Sequence, residues 1–472
     1  MIFADVRGLA MAENKGTDIL GSDHIGRLLL RLSVPAMIGM MVMALFNVVD
    51  TIFVGRGVGP LGIAGVTIVF PIQMFIMAIA QMIGIGGASI VSRALGSDNT
   101  DRAERTMGTM MLSALLIGTV VTIIGYLLTD PLLRVFGATD TILPYAREYL
   151  VIMLIGNLYF PYAVASNSVI RAEGRAGYAM ITMLISAILN IILDPIFIFW
   201  LDMGVRGAAV ATVIAKAVTA IWVTFYFVSR KSTLRLHLRN FKFHRGITGE
   251  LFAIGTASFV RMVAASILVV TVNNILARLG GDLYIAIMGI VIRLMQFFVM
   301  PMFGVAQGLQ PIAGYNYGAK RYDKSKRAVM IALAAATAIS IFGFLLLFFQ
   351  AEQFLMLFTK ETELIEKGIW PLRYAILLLP LVGAQVIGSA TFQAIGKAVH
   401  SIVLSITRRA LFLIPLLFVL PPLMGISGVW VAFPISDFLA FVLTTLFLIV
   451  QLREFSDKQR LVASMQEPVP EE

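Results

Sequence analysis

YAMITMLISAILNIILDPIFIFW, residues 178–200, is the stretch whose reading decides the fold. It runs 23 residues with one ionisable group in its apolar run, Asp194, followed by Pro195. At about 1.5 Å of rise per residue, a helix of this length crosses a hydrocarbon layer about 30 Å thick. It lacks the charged face that a soluble surface helix turns to water. The stretch reads as a transmembrane helix that carries an acid inside the membrane.

The rest of the chain has the same texture. Of 472 residues, 59% are hydrophobic and 14% charged, with a mean hydropathy of +0.89. Soluble domains carry about a quarter charged residues. Apolar blocks recur near 28–51, 61–82, 106–128, 149–168, 178–200 and 205–228, and again near 251–279, 284–305, 328–349, 372–392, 402–420 and 426–451. The alternating pattern of a membrane β-barrel is absent. The expected fold is therefore an all-α membrane protein of about twelve transmembrane helices. Asp18, Ser22 and Asp23 interrupt the start of the chain and leave no signal-peptide core, so the first block is expected to be retained.

A net charge of +10 raises the question of nucleic acid. The Lys and Arg, however, sit mainly between the apolar blocks, which is the pattern of topology-setting charge. One set of alternate loops holds Arg93, Arg102 and Arg105; Arg171 and Arg175; Arg230 to Arg245; and Lys320 to Arg327. The opposite set is sparser. The positive-inside rule then places the rich loops and both termini in the cytoplasm of a cell-membrane protein. Cysteine is absent, which excludes disulfides and thiolate metal sites. No GxxxxGK[ST] loop is present, and the four His are scattered. ATP-driven pumping by this chain and metal-enzyme chemistry are therefore not expected, and the loops are too short for a catalytic domain.

The chain also repeats itself. ALGSDNTDRAERT resembles YGAKRYDKSKRAV, RAEGRAG resembles QAIGKAV, and VRGAAVA resembles ISGVWVA. The aligned glycines (Gly96 and Gly318, Gly174 and Gly396, Gly207 and Gly428) lie roughly 222 residues apart. Two lobes of six spans each follow, related by an axis along the membrane normal. The expected division is a cytoplasmic segment 1–24, an N-lobe 25–228, a basic linker 229–249, a C-lobe 250–452 and a tail 453–472. Two such lobes can rock about a central cleft, which is the geometry of alternating access.

An ionisable group at the centre of a membrane helix costs about 2.5–3.5 kcal/mol, so it marks function. Asp50 ends span one and Asp194 lies in the outer third of span five. Asn190 precedes Asp194 by one helical turn, on the same face. Thr212, in span six, falls at a similar depth. Converging, these four offer hard oxygen ligands to a small cation such as Na+. Alternatively, the two carboxyls share a proton, because close carboxylates in a low dielectric cannot both ionise easily. Pro35 interrupts span one and is a candidate bend. Asp437 is either a C-lobe counterpart or one half of a local pair. Arg261, Arg293, Arg373, Arg408 and Arg409 lie in or beside C-lobe spans; most are expected to snorkel to the membrane surface, and Arg293 to need a partner. Met180, Met262 and Met288 are candidates for an adaptable substrate cavity, with ordinary packed surface as the alternative.

LSVPAM, FNVVDTIFVGRGVGPLGIAGV, GASIVSRALG, NSVIRAEGRAG and LNIILDPIFIF followed by GVRGAAVATVIA together resemble the multidrug and toxic compound extrusion (MATE) family. The resemblance covers about residues 26–452. It implies a secondary exporter, not an enzyme, that expels cationic or amphipathic drug-like compounds against H+ or Na+. It assigns ion coupling to Asp50, Asn190, Asp194 and Thr212, helix bending to Pro35, and a lobe-lining amide to Asn167. Phe46, a further cavity candidate, stands where some relatives carry Tyr, which removes a hydroxyl. A monomer in the lipid bilayer, with no cofactor beyond a bound Na+, is expected. The alternative is a lipid-linked precursor flippase of the same superfamily, which would line its cleft with cations. A membrane-embedded enzyme or receptor would need a catalytic cluster or a large soluble loop, and the sequence shows neither.

Overall fold

The computed structural model describes residues 18–229 and 231–465, without the side chains at 18, 47, 48, 51 and 60. Most of the expected segment 1–24, Arg230, and the end of the tail lie outside the described residues, as does the side chain of Asn47. The first lobe comprises α1 (Ile25–Gly96), α2 (Thr100–Leu127), α3 (Thr129–Val135), α4 (Leu143–Asn157), α5 (Phe160–Ala172), α6 (Ala176–Pro195) and α7 (Gly204–Val228). The second comprises α8 (Arg245–Gly318), α9 (Tyr322–Phe349), α10 (Ala351–Met356), α11 (Thr362–Ile376), α12 (Leu379–Ala394), α13 (Ala398–Ile406), α14 (Ile414–Met424) and α15 (Ile426–Ser464).

α1 and α8 hold 72 and 74 residues. A straight helix of either length would run on the order of 110 Å, several times the bilayer core. Each is broken once, at Gly59 (φ 76°) and at Gly281 (φ 68°). These left-handed conformations are open to glycine because it has no Cβ. Each long helix therefore supplies two spans. Nine helical stretches are long and apolar enough to cross a membrane, with α8 counted once. The pairs α4–α5 and α11–α12, bent by 45° and 44°, each complete another. Twelve crossings result among the described residues.

Those bends correct the expectation of unbroken spans at 149–168 and 372–392. Pro161 and Pro380 stand in the first turns of α5 and α12. Proline has no N–H to give the preceding turn and disfavours helix in the residue before it. The tenth crossing also starts earlier than expected, at Thr362, because its first turns are charged.

The repeat is written in the backbone as well. Three pairs of left-handed residues, Gly59 and Gly281, Asp98 and Lys320, and Gly174 and Gly396, each lie 222 positions apart. The lobes meet chiefly through α1 and α8. At Gly96 an added Cβ would fall 1.9 Å from the carbonyl oxygen of Tyr315; at Gly318 it would fall 2.1 Å from that of Arg93. Arg93 and Tyr315 are themselves 222 positions apart, so this seam is one contact made twice about the pseudo-two-fold axis. Met37 sits against Gly304, Ser33 against Gly308, and Met82 against Gly255. Phe75 meets Phe259 edge to face at 5.7 Å. Ion pairs from Arg93 (2.8 Å) and Arg102 (2.6 Å) to Glu250 close the same end. That end also carries Gly21, bound by Lys324 (2.7 Å), and Tyr317, bound by Lys458 (3.1 Å). It is called the terminal end below.

Candidate functional site: a carboxyl pair inside the first lobe

Three helices build the site. α6 carries Asn190 and Asp194 on one face, 1% and 0% exposed. Directly after Asp194, Pro195 ends α6, and residues Ile196–Trp200 form a π-helical turn. Such turns mark places where a helix is distorted to aim a group. α1 brings Asp50, and α7 brings Thr212.

The Asp50 and Asp194 carboxyls face each other within hydrogen-bonding reach. Two carboxyls can hydrogen-bond only if one of them carries a proton. With its nitrogen toward the acid, the Asn190 amide donates to Asp194 Oδ2 at 3.0 Å. Its oxygen then accepts from the Thr212 N–H at 3.0 Å and the Thr212 hydroxyl at 3.2 Å. The opposite orientation engages Thr212 alone, so the first is the better satisfied. The second oxygen of Asp194, Oδ1, is buried and receives no hydrogen bond from an N–H or hydroxyl group of the described side chains. No cluster of three or more His, Cys, Asp or Glu occurs among the described residues, so the donor set is two carboxyls, an amide and a hydroxyl. It suits a hard monovalent ion.

One neighbour and one further buried charge escaped the sequence reading. Tyr149 of α4, 7% exposed, lies within electrostatic range of both acids. Nothing marks one tyrosine among twelve, so only the fold reveals it. Lys216 follows Thr212 by one turn of α7. Its Nζ lies 3.5 Å from Gln73 Oε1 and 4.4 Å from the centre of the Phe160 ring. A lone lysine inside the apolar run AVATVIAKAVTA carries the same signal of cost as Asp194, and that signal was available.

The other expected residues fare differently. Pro35 does not break α1, which stays helical from Ile25 to the turn at Gly59. It lies between Ser33 and Met37, two of the residues seated on α8. Asn167 is 7% exposed; it donates to Ala179 O at 3.0 Å and accepts from Arg171, so its amide is spent within the lobe. Phe46, Met180 and Met262 are half-buried. Met288 is 1% exposed within the second lobe's hydrophobic core, which corrects its reading as a cavity residue. Arg293 is exposed and forms no ion pair among the described residues. Asp437 is one half of a local pair, held by Arg408. Arg408 therefore turns inward to this buried acid, against the expectation of snorkelling.

The chain matches the family model MatE twice, over residues 35–196 and 257–419. It is 27% identical over 405 residues to the multidrug export protein MepA of Staphylococcus haemolyticus (strain JCSC1435), covering 86% of this chain and 89% of that one. Among solved structures it superposes on MATE in complex with MaL6 with a TM-score of 0.89 and 29% identity, over 94% of this chain and all of that one. It superposes on the MATE multidrug transporter DinF-BH, solved as a complex, with a TM-score of 0.85 and 44% identity, over 91% and 96% of the two chains. The two matched segments fall one in each half of the duplicated bundle and extend over most of its length. The chain belongs to the MatE family of membrane transporters.

Proposed function

We propose that this transporter exports cationic and amphipathic drug-like compounds from the cell by antiport with H+ or Na+. The observation that carries the reading is the facing pair Asp50 and Asp194, with Asn190 and Thr212 beside it. Ionised together in a low dielectric, the acids repel; a proton or a Na+ between them removes the repulsion. Occupancy therefore changes how closely the outer part of the first span lies against α6. Pro35 sits about 22 Å along the same span from Asp50, beside the seam residues Ser33 and Met37. The α1 arm thus links the acid pair to the contact between the lobes. The named contacts between lobes lie toward the terminal end, with Phe75–Phe259 near the middle, which supports a cleft open at the other end.

The positive-inside rule supports a plasma-membrane setting with the terminal end cytoplasmic, an N-lobe over 25–228, a linker over 229–249 and a C-lobe over 250–452. We take the working unit as a monomer. The likeness to multidrug transporters supports the substrate class. The test is rhodamine 6G efflux from proteoliposomes under separately imposed pH and Na+ gradients, for the unmodified protein and Asp194→Asn. Gradient-driven efflux is expected from the former and only passive leak from the latter. Equal driven efflux from both would remove the coupling role.

A further inference from the structure

The interior of the second lobe holds a charged cluster that ion coupling does not use. Arg261 comes from α8. Arg408 and Arg409 come from the π-helical stretch Thr407–Leu413 between α13 and α14. Arg408 and Arg409 lie near Asp437 of α15, which is 1% exposed, and Arg261 lies near Arg409. Arg408 holds both oxygens of Asp437, with its NH2 3.2 Å from Oδ2. Arg409 instead donates to the backbone oxygen of Arg261 at 3.2 Å. Arg261 donates to Ser258 Oγ at 3.3 Å, and its guanidinium lies 5.4 Å from the centre of the Phe303 ring.

Arg408 and Arg409 thus lie beside one carboxylate, and Arg261 beside Arg409. Among the described residues, neither Arg261 nor Arg409 has an acidic partner within ion-pair distance. A guanidinium offers five N–H donors; each of these two spends one of them on the hydrogen bond named above. The Arg408–Asp437 pair satisfies itself and explains one arginine. The remaining two bring an excess of positive charge into helices that span the membrane, where a charge at the centre costs about 2.5–3.5 kcal/mol. Both are half-buried, so part of each side chain stays accessible. The π-helical stretch turns two consecutive arginines toward the same lobe interior, a distortion found mostly at functional sites.

We infer that Arg261 and Arg409 bind the acidic group, a carboxylate or related oxyanion, of an exported amphiphile, and that the transporter favours zwitterionic members of its substrate class over plain cations. This rests on the export reading above and names the chemistry of its substrate. Guanidinium is suited to the task because its fork matches an oxyanion with parallel N–H bonds.

The experiment compares rhodamine 6G, an ester, with its free acid, which keeps the same ring system and adds one carboxylate. Binding to the purified full-length protein in phosphatidylcholine nanodiscs is read by fluorescence anisotropy. The acid is expected to bind about tenfold tighter than the ester, the size of one or two charge-assisted hydrogen bonds. In the double variant Arg261→Gln with Arg409→Gln the acid-to-ester ratio falls to about one, and in Arg261→Lys with Arg409→Lys an intermediate preference remains. No preference in the unmodified protein, or an undiminished one in the Gln variant, overturns the inference. Preference that disappears in phosphatidylglycerol nanodiscs assigns the arginines to a lipid phosphate and overturns it as well. Export of the ester without preference for the acid sinks this inference alone. Export of neither dye by the unmodified protein sinks the export reading itself.

Discussion

The two lobes share one backbone plan and bury different charged clusters. The first places two acids face to face, with Asn190 and Thr212 in attendance. The second buries a single acid and surrounds it with arginines. A buried acid already neutralised by Arg408 has no vacancy for a proton or a sodium ion; an acid facing another acid has one by necessity. The comparison teaches that duplication copied the frame and left each interior free to take its own chemistry.

The comparison breaks first at the acids. Asp194→Asn is expected to abolish gradient-driven efflux while leaving thermal stability nearly unchanged, since Asn190 still finds an oxygen there; efflux and unfolding temperature are read on one preparation. Asp437→Asn should do the reverse. It strands Arg408 inside the lobe, and removing one partner of a buried pair destabilises by about 3–5 kcal/mol. A thermal-shift series would show the drop, with the ion dependence of any surviving transport unaltered. If the two substitutions behaved alike, the division of labour between the lobes would be wrong.

The seam tests the opposite expectation, that the lobes are equivalent. Gly96→Ala and Gly318→Ala each push a methyl group into a backbone carbonyl, which overpacks the contact by about 1–3 kcal/mol. Equal losses of stability are expected from the pair. Unequal losses would show that one side of the seam carries more of the closed state. The smallest effect concerns Thr212→Val, which removes one hydroxyl ligand and keeps the shape. Loss of one neutral hydrogen bond is worth about 0.5–1.5 kcal/mol, so the half-saturating ion concentration should rise a few-fold with maximal efflux retained. That shift is measurable in proteoliposomes by titrating the driving ion.

Much of the frame was legible because hydrocarbon imposes its rules one residue at a time. Apolar length announces a span, and an acid inside LNIILDP announces itself by its cost. The repeat could be read because glycines at close approaches and in left-handed turns have few substitutes. The pairing of Asp437 with Arg408 was not legible. It joins two helices whose neighbours are set by three-dimensional assembly, and no spacing within either helix encodes it. Tyr149 was hidden for the same reason. The bends after Asn157 and Ile376 lay within reach, since each is followed by a proline, but a proline inside a membrane helix has several structural outcomes.

The doubled contact at Gly96 and Gly318 has an ancestral implication. A half-length chain with a glycine and, three residues before it, an exposed carbonyl would form this same junction twice on meeting its own copy, as any self-complementary two-fold dimer does. Fusion of two such halves needed only a tether between them, because the surface that joins them was already complete.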